Sequence, residues 1–341
     1  MNQKACDVAI NRMNLFGSQH HPFLFIIDFE MQKPLVCTIE DLNDFNIRFN
    51  INRISNYTEQ KKDIKEVKLY KYAVPFEQYK QSFDYVLQNL LFGNSYLTNL
   101  TFPTAIQTNL SLSDIFNCSK AKYKLLFGDE FVVFSPEIFV RTHKGRIYSY
   151  PMKGTIDAAL PNAENEILNN PKETAEHATI VDLIRNDLSM VATDVRVDKY
   201  RYIDRLTTHE KTLLQVSSEI SGELPTNFHK QLGSLIFALL PAGSISGAPK
   251  KKTIEIIKNA ELGKRGYYTG VVGYFDGKNI DSGVMIRYIE NTNDRNLINT
   301  NSTNNEQLNN FVYRSGGGIT TQSNPENEYN ELIDKVYVPI Y

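Results

Sequence analysis

The sequence predicts an α+β protein in which helices pack outside antiparallel sheets. Strand and helix signals fall in blocks with no regular βαβ alternation. A hairpin is written at Tyr123–Phe127 and 130–134, two apolar segments separated by the turn residues Gly128-Asp129. Helical periodicity is confined to a few separate stretches, and no internal repeat of fixed period is visible.

Taken in order, residues 22–75 alternate short apolar runs, at Phe23–Ile27 and 34–39, with polar stretches. They predict strands and loops, with a charged helix or loop near 59–68. Phe76, Tyr79, Phe83, Val86, Leu87, Leu90 and Leu91 recur at three and four residues, an amphipathic helix that Gly93 stops. A strand follows at 96–102, then the hairpin, then alternation at 138–141 and a turn at His143-Lys144-Gly145-Arg146. Ile180, Leu183, Ile184, Leu188 and Val191 predict a helix over 172–192. Further helices are expected at 228–240 and at 249–259, the latter opened by Pro249 in its first turn. Strands are expected at 270–275, 282–290 and 311–314, and a last helix at 325–335. The Asn-dominated stretch 291–310 has few apolar residues to bury and reads as a long hairpin loop.

Composition narrows the function. The chain has 341 residues, and 37 Lys plus Arg against 39 Asp plus Glu leave a formal charge of −2. That balance, without Lys/Arg blocks, supplies no footprint for a nucleic-acid backbone or an anionic membrane. Cys6, Cys37 and Cys118 are widely spaced and form no Cys-x-x-Cys pair, so neither a disulfide framework nor a thiolate zinc site is expected. No run approaches the roughly 20 apolar residues of a membrane span, and the early run at Phe23–Ile27 is broken by Asp28. The expected location is the reducing cytoplasm.

Four segments carry candidate chemistry, each with a plain structural alternative. The glycine-bearing loop Pro241-Ala-Gly-Ser-Ile-Ser-Gly-Ala-Pro-Lys250 presents backbone amides to an anion or is simply a helix-to-helix turn. Ser315-Gly316-Gly317-Gly318-Ile319, after a strand, permits close backbone approach to a ligand or is a turn. Glu173 and Glu176 share one helix face, where they hold a hard cation, shuttle a proton, or form a solvated acidic first turn. His177 lacks a partner at metal-ligand spacing and reads as structural. Lys153, in Tyr150-Pro151-Met152-Lys153-Gly154-Thr155, is a turn lysine, or a nucleophile if burial or a nearby cation lowers its pKa from about 10.4.

As an ordered set these segments are distinctive. With Ser135-Pro136-Glu137, Tyr268 to Tyr274, Ile286-Arg287 and the stretch 328–335, the sequence resembles the chorismate-utilising enzyme family over 76–335. The Pro-x-Lys-Gly-Thr form is similar to aminodeoxychorismate synthase component I, the large component of para-aminobenzoate synthase. Anthranilate synthases usually carry Ala where Lys153 stands. Isochorismate and salicylate synthases use a Lys in the strand that here reads Tyr96-Leu97-Thr98-Asn99, which disfavours water as nucleophile.

The resemblance implies two packed antiparallel sheets with helices outside, a deep cleft between them, a short N-terminal extension over 1–75 contributing strands, and a catalytic domain over 76–341. It implies a Mg²⁺ ion ligated by Glu176 and Glu331, with Glu173 and Lys335 orienting the carboxylates. It implies that Arg287, Tyr268 and the amides of Gly316, Gly317 and Gly318 hold the enolpyruvyl carboxylate, with Gly154, Thr155, Arg185 and Ser244 also at the substrate. Lys153 then attacks C2 of chorismate, Glu137 protonates the departing C4 hydroxyl, and ammonia enters at C4 to give 4-amino-4-deoxychorismate, on the route to p-aminobenzoate and folate. Mg²⁺ near Lys153 should favour its neutral form. The chain lacks a glutaminase Cys in a Gly-rich elbow, so a separate glutamine amidotransferase subunit, or ammonia in solution, is the expected nitrogen source. Where close relatives read Arg-Asn-Asp-Leu/Ile-Gly-Arg, this chain reads Arg185-Asn186-Asp187-Leu188-Ser189-Met190. Two rival readings follow: an anthranilate synthase large component, and a catalytically weak scaffold for the amidotransferase.

Overall fold

A computed structural model describes residues 1–58, 66–207, 212–291 and 308–338. Its elements in chain order begin with α1 (Gln3–Ser18), β1 (Phe23–Ile27), β2 (Leu35–Cys37), β3 (Ile47–Ile51), β4 (Ile54–Ser55), β5 (Leu69–Tyr72) and α2 (Phe76–Leu91). Next come β6 (Leu97–Thr108), α3 (Leu112–Cys118), β7 (Tyr123–Phe127), β8 (Phe131–Ser135), β9 (Ile138–His143), β10 (Arg146–Ser149) and β11 (Met152–Asp157). The middle holds α4 (Ala163–Asn169), α5 (Pro171–Ser189), β12 (Thr193–Thr207), β13 (Thr212–Glu223), α6 (Leu232–Ala238), β14 (Gly247–Ala248) and α7 (Lys250–Ala260). The chain ends with β15 (Val271–Phe275), β16 (Ile280–Val284), β17 (Tyr288–Glu290), β18 (Asn309–Ile319) and α8 (Pro325–Asp334).

The strands form two antiparallel sheets. The first runs β11-β13-β10-β9-β16-β15-β1-β2 with β12 also on β13; the second runs β14-β6-β18-β17-β8-β7-β3-β4 with β5 also on β6. Strand β1 shows how they stack. Its five residues are all buried. Phe23, Phe25 and Ile27 join a core with Met13 of α1, Leu188 of α5 and Leu232 of α6. Leu24 and Ile26 join a second core with Phe49, Tyr123 and Val133 of the other sheet. Side chains alternate across a strand, so an unbroken apolar run serves two interfaces at once. A third apolar layer holds α2, α7 and α8 on the second sheet through Phe83, Ile256 and Leu332. The expected α+β sandwich with helices outside is what the chain adopts, and no helix among the described residues is long and apolar enough to cross a membrane.

Several elements differ from the sequence expectation. Helix α1 was not anticipated: its buried positions Cys6, Ala9, Met13 and Gly17 follow helical spacing, but most are small and weakly apolar. Strand β6 runs through Pro103 to Thr108, six residues past the expected end at 102. The expected strand 282–290 breaks in two, β16 in the first sheet and β17 in the second, with Arg287 at φ 55° between them. The triple glycine is not a turn after a strand but part of β18 itself, with Gly317 opposite Leu100 and Gly318 opposite Asn99 of β6. The loop after α6 is more than a helix-to-helix turn, because Gly247 and Ala248 pair with Thr98 and Leu97. The helix expected at 228–240 is a 3-10 turn at Phe228–Gln231 followed by α6. Most of the charged stretch 59–68 and of the Asn-rich stretch 291–310 lies outside the described residues.

Candidate active site

Helix α5 places the acidic groups. Pro171 opens it, and the Asn170 side chain accepts the Glu173 N–H at 3.1 Å, so the first turn starts at a fixed point. Glu176 lies on the face that also carries Ile180, Ile184 and Asp187, spaced by four, four and three residues, and all four line one cavity. Ile180 and Leu183 pack against Leu97 at the start of β6, which holds this face over the second sheet.

Lys153 enters the same cavity from β11, at the edge of the first sheet. Its neighbour Gly154 has φ 75°, and the register with β13 shifts between Lys153 and Thr155. A Cβ at Gly154 would sit 2.8 Å from Glu173 Oε2, so a side chain there would displace the Glu173 carboxylate as well as strain the backbone. Lys153 Nζ lies 2.7 Å from Glu176 Oε2. Burial alone would lower the Lys153 pKa, but Glu176, then Glu173 and Glu331, together hold it above its ordinary value. Without a cation beside it, the pairing with Glu176 thus favours the protonated amine; the neutral form is expected of a site in which Mg²⁺ lies near Lys153.

Across the cavity, Glu137 follows β8, with its N–H donated to Ser135 Oγ at 3.1 Å. Ser244 Oγ donates to Glu137 Oε1 in a short hydrogen bond. Desolvation pushes the Glu137 carboxyl upward against the lowering pull of Ser244, Arg287 and Lys335. Glu137 is therefore a carboxyl in this cavity disposed to keep a proton; burial also pushes Asp187 upward, against the pull of its Lys250 partner.

The glycine strand separates two lysines. A Cβ at Gly318 would stand 3.1 Å from Leu97 Cδ1 and 3.4 Å from Lys153 Nζ; one at Gly317 would stand 3.3 Å from Glu328 Oε2 and 3.8 Å from Lys335 Nζ. Lys335 Nζ pairs with Glu331 Oε1 at 2.7 Å and donates to the Gly316 carbonyl at 2.8 Å. Burial lowers the Lys335 pKa, opposed by Glu331 and reinforced by Arg287 and Lys153. Arg287 Nε donates to Tyr337 Oη at 3.2 Å, and Tyr268 is buried with its ring 5.9 Å from that of Tyr288, its pKa pushed by burial up to about 12. Among the described residues β17 covers the second edge of β18 only as far as Arg314, so beyond it amides on that edge have no strand partner.

The structure thus brings together Glu137, Lys153, Glu176, Ser244 and Gly318 in one cavity, with Glu173, Glu331, Lys335 and Arg287 in electrostatic reach. It sets two expected residues apart. Arg185 is half exposed and faces Asp182 of its own helix at 3.6 Å, and Thr155 is exposed. Neither lines the cavity, and Gly154, Tyr268, Arg287, Gly316, Gly317 and Lys335 also lie outside its lining. A further pair was not assigned from sequence: Lys250 Nζ donates to Asp187 Oδ2 at 2.8 Å and to the Leu239 carbonyl at 3.0 Å. The face shared with Glu176 was the available signal for Asp187. His177 is buried, 2.7 Å from Ser218 Oγ, as its structural reading had it.

The donor chemistry suits a hard divalent cation: Glu173, Glu176 and Glu331 offer only oxygen and act on one ammonium group. They are not drawn into a ready cage, since no three metal-ligating side chains cluster among the described residues. Lys153 and Lys335 instead balance Glu176 and Glu331.

The profile of chorismate binding enzymes matches residues 25–340. The chain belongs to the chorismate-binding enzyme family. A relative named "uncharacterized PabA-like protein" from Haemophilus influenzae is 49% identical over 340 residues, covering 100% of this chain and 99% of its own. A Pasteurella multocida protein of the same description is 47% identical, covering 97% and 98%. More distantly, an anthranilate synthase component 1 from Haloarcula marismortui is 32% identical over 73% of this chain and 50% of its own length. Among solved chorismate-utilising folds, the menaquinone-specific isochorismate synthase MenF of Escherichia coli superposes with a TM-score of 0.70 at 14% identity, covering 96% of this chain and 80% of its own.

Proposed function

We propose that this chorismate-binding enzyme aminates chorismate at C4 with ammonia, giving 4-amino-4-deoxychorismate. The observation that carries the reading is Lys153: its amine enters the cavity from one wall while Glu137, a carboxyl pushed upward by desolvation, faces the same space from another.

Glu176 and Glu331, with Glu173 behind them, would hold a Mg²⁺ ion, which would supply charge neutralisation for the ring carboxylate of the substrate. The remaining work falls to the side chains. Arg287 and the free-edge amides of the glycine strand bind the second carboxylate. A cation held by Glu176 would offset the negative charge that keeps the Lys153 amine protonated and would add positive charge beside it, both of which favour the neutral amine. The neutral amine attacks C2, the ring double bond shifts, and the C4–O bond breaks as Glu137 gives its proton to the leaving hydroxyl, which departs as water. Ammonia then bonds to C4, the double bond shifts back, and the C2–N bond to Lys153 breaks. Two allylic displacements replace one difficult substitution. Ammonia comes from a separate glutamine amidotransferase subunit or from solution.

The test is product analysis. Chorismate, Mg²⁺ and a high ammonium concentration should give a product that a pyridoxal phosphate lyase converts to p-aminobenzoate. Fluorescent anthranilate in its place would move the amination to C2, a second reading favoured by the 32% identity to an anthranilate synthase component. Chorismate binding without turnover, with or without a supplied glutaminase, would favour the scaffold.

A further inference from the structure

We propose that His20 and His229, neither of which lines the cavity described above, form a binding site for a borderline divalent transition-metal ion such as Zn²⁺. The two rings lie with centroids 4.8 Å apart and planes at 55°. His20 Nδ1 is 2.8 Å from the Gly277 carbonyl and His229 Nε2 is 2.8 Å from the Lys278 carbonyl. A carbonyl only accepts, so each of these nitrogens carries the proton. The lone pair of each neutral ring is thereby fixed on the other nitrogen, Nε2 of His20 and Nδ1 of His229. Anchoring one ring nitrogen on a main-chain carbonyl is how proteins orient histidines that bind metal through the second nitrogen.

The spacing suits a shared ion. Two imidazoles bound at about 2.0–2.1 Å to one tetrahedral centre place their ring centroids roughly 5 Å apart. The backbone supports the same placement. His20 follows α1 in the left-handed region at φ 54°, a conformation that non-glycine residues adopt at a cost. Its partner turn is equally constrained: Gly277 has φ 95°, and Asp276 Oδ1 accepts the N–H groups of Lys278 and Asn279 at 2.7 and 2.6 Å. A Cβ at Gly277 would lie 2.8 Å from the His20 carbonyl oxygen, so the close approach of the two turns depends on glycine. His20 is exposed and His229 partly so, which leaves an entry path and room for water to complete the coordination. An ion there would join the end of α1, the 3-10 turn at Phe228–Gln231 and the turn between β15 and β16.

The experiment uses the whole chain, with millimolar MgCl2 present throughout to occupy the carboxylate site. Native mass spectrometry with added ZnCl2 should show one zinc ion per chain, and zinc should raise the Tm by roughly 2–4 °C. In His20→Asn, chosen because Asn tolerates the left-handed backbone, and in His229→Gln, zinc uptake and the Tm shift should both disappear, while His21→Asn keeps them. Uptake in both variants equal to that of the parent, or no uptake by the parent, overturns the proposal. Anomalous diffraction at the zinc edge from crystals of the parent protein gives a check that needs no variant: a peak between the two rings supports the site, and its absence in zinc-soaked crystals rejects it.

Discussion

Lys153 Nζ and Glu176 Oε2 stand 2.7 Å apart, joining the edge strand of the first sheet to the longest helix that packs beside it. The proposed nucleophile and the proposed metal carboxylate are therefore one electrostatic unit, and the charge state of either depends on what occupies the other. Lys153→Ala should stop amination at C4 and leave at most slow attack at C2, followed by chromatography of the chorismate-derived products. An unchanged rate of 4-amino-4-deoxychorismate formation would remove Lys153 from the mechanism.

Removing divalent metal with EDTA should abolish turnover while the far-UV circular dichroism holds, because Lys153 and Lys335 already balance Glu176 and Glu331. Added Mg²⁺ should restore activity in the parent. Glu173→Gln, behind the proposed ligands, should need more Mg²⁺ for half-maximal rate, by roughly 10–100-fold, and Glu176→Gln and Glu331→Gln more still.

Glu137→Gln should lower kcat by about 10²–10⁴-fold, the usual worth of a placed general acid. The raised pKa of Glu137 means that its proton persists above the ordinary 4.5 and that activity falls as pH climbs through the shifted value. Ser244 pulls that value down, so Ser244→Ala should move the falling limb of the kcat profile to higher pH. A limb that stays in place would detach Glu137 from it.

His177 offers a stability prediction independent of catalysis. Burial, with Arg201 adding to it, lowers its pKa from 6.5 to about 4. The unfolded chain thus takes up a proton that the folded chain refuses, and stability present above pH 6.5 is lost as pH falls toward 4. Urea midpoints measured across that window should decline in the parent and be flatter in His177→Gln.

Much of the fold is readable from patterning because the decisive signals are local. The apolar spacing of α2 matches its observed span of Phe76–Leu91, and the Gly128-Asp129 turn marks its hairpin. What escapes is set by distant partners. Cys6, Ala9 and Gly17 of α1 look unremarkable until Leu232 of α6 and Phe23 of β1 enclose the helix. Gly316 to Gly318 carry turn chemistry but lie in a strand, since glycine there admits lysines and not a bend. Within the site, the motif residues could be named from order alone, yet the Asp187–Lys250 contact spans 63 positions and Arg185 points away, neither of which spacing reports. The left-handed turn at Arg287, where one expected strand passes between sheets, has no sequence signature.

The bare backbone of β18 has a consequence for how such a protein can vary. One methyl group at position 318 would meet both Leu97 Cδ1 and Lys153 Nζ, and these belong to different sheets. Positions 97, 153 and 318 therefore border one small volume, and added bulk at 318 requires the Leu97 or Lys153 side chain to give way. Homologues with a side chain at position 318 should carry a smaller or repositioned residue at 97 or 153, while a shorter residue at 153 leaves the glycine free to stay.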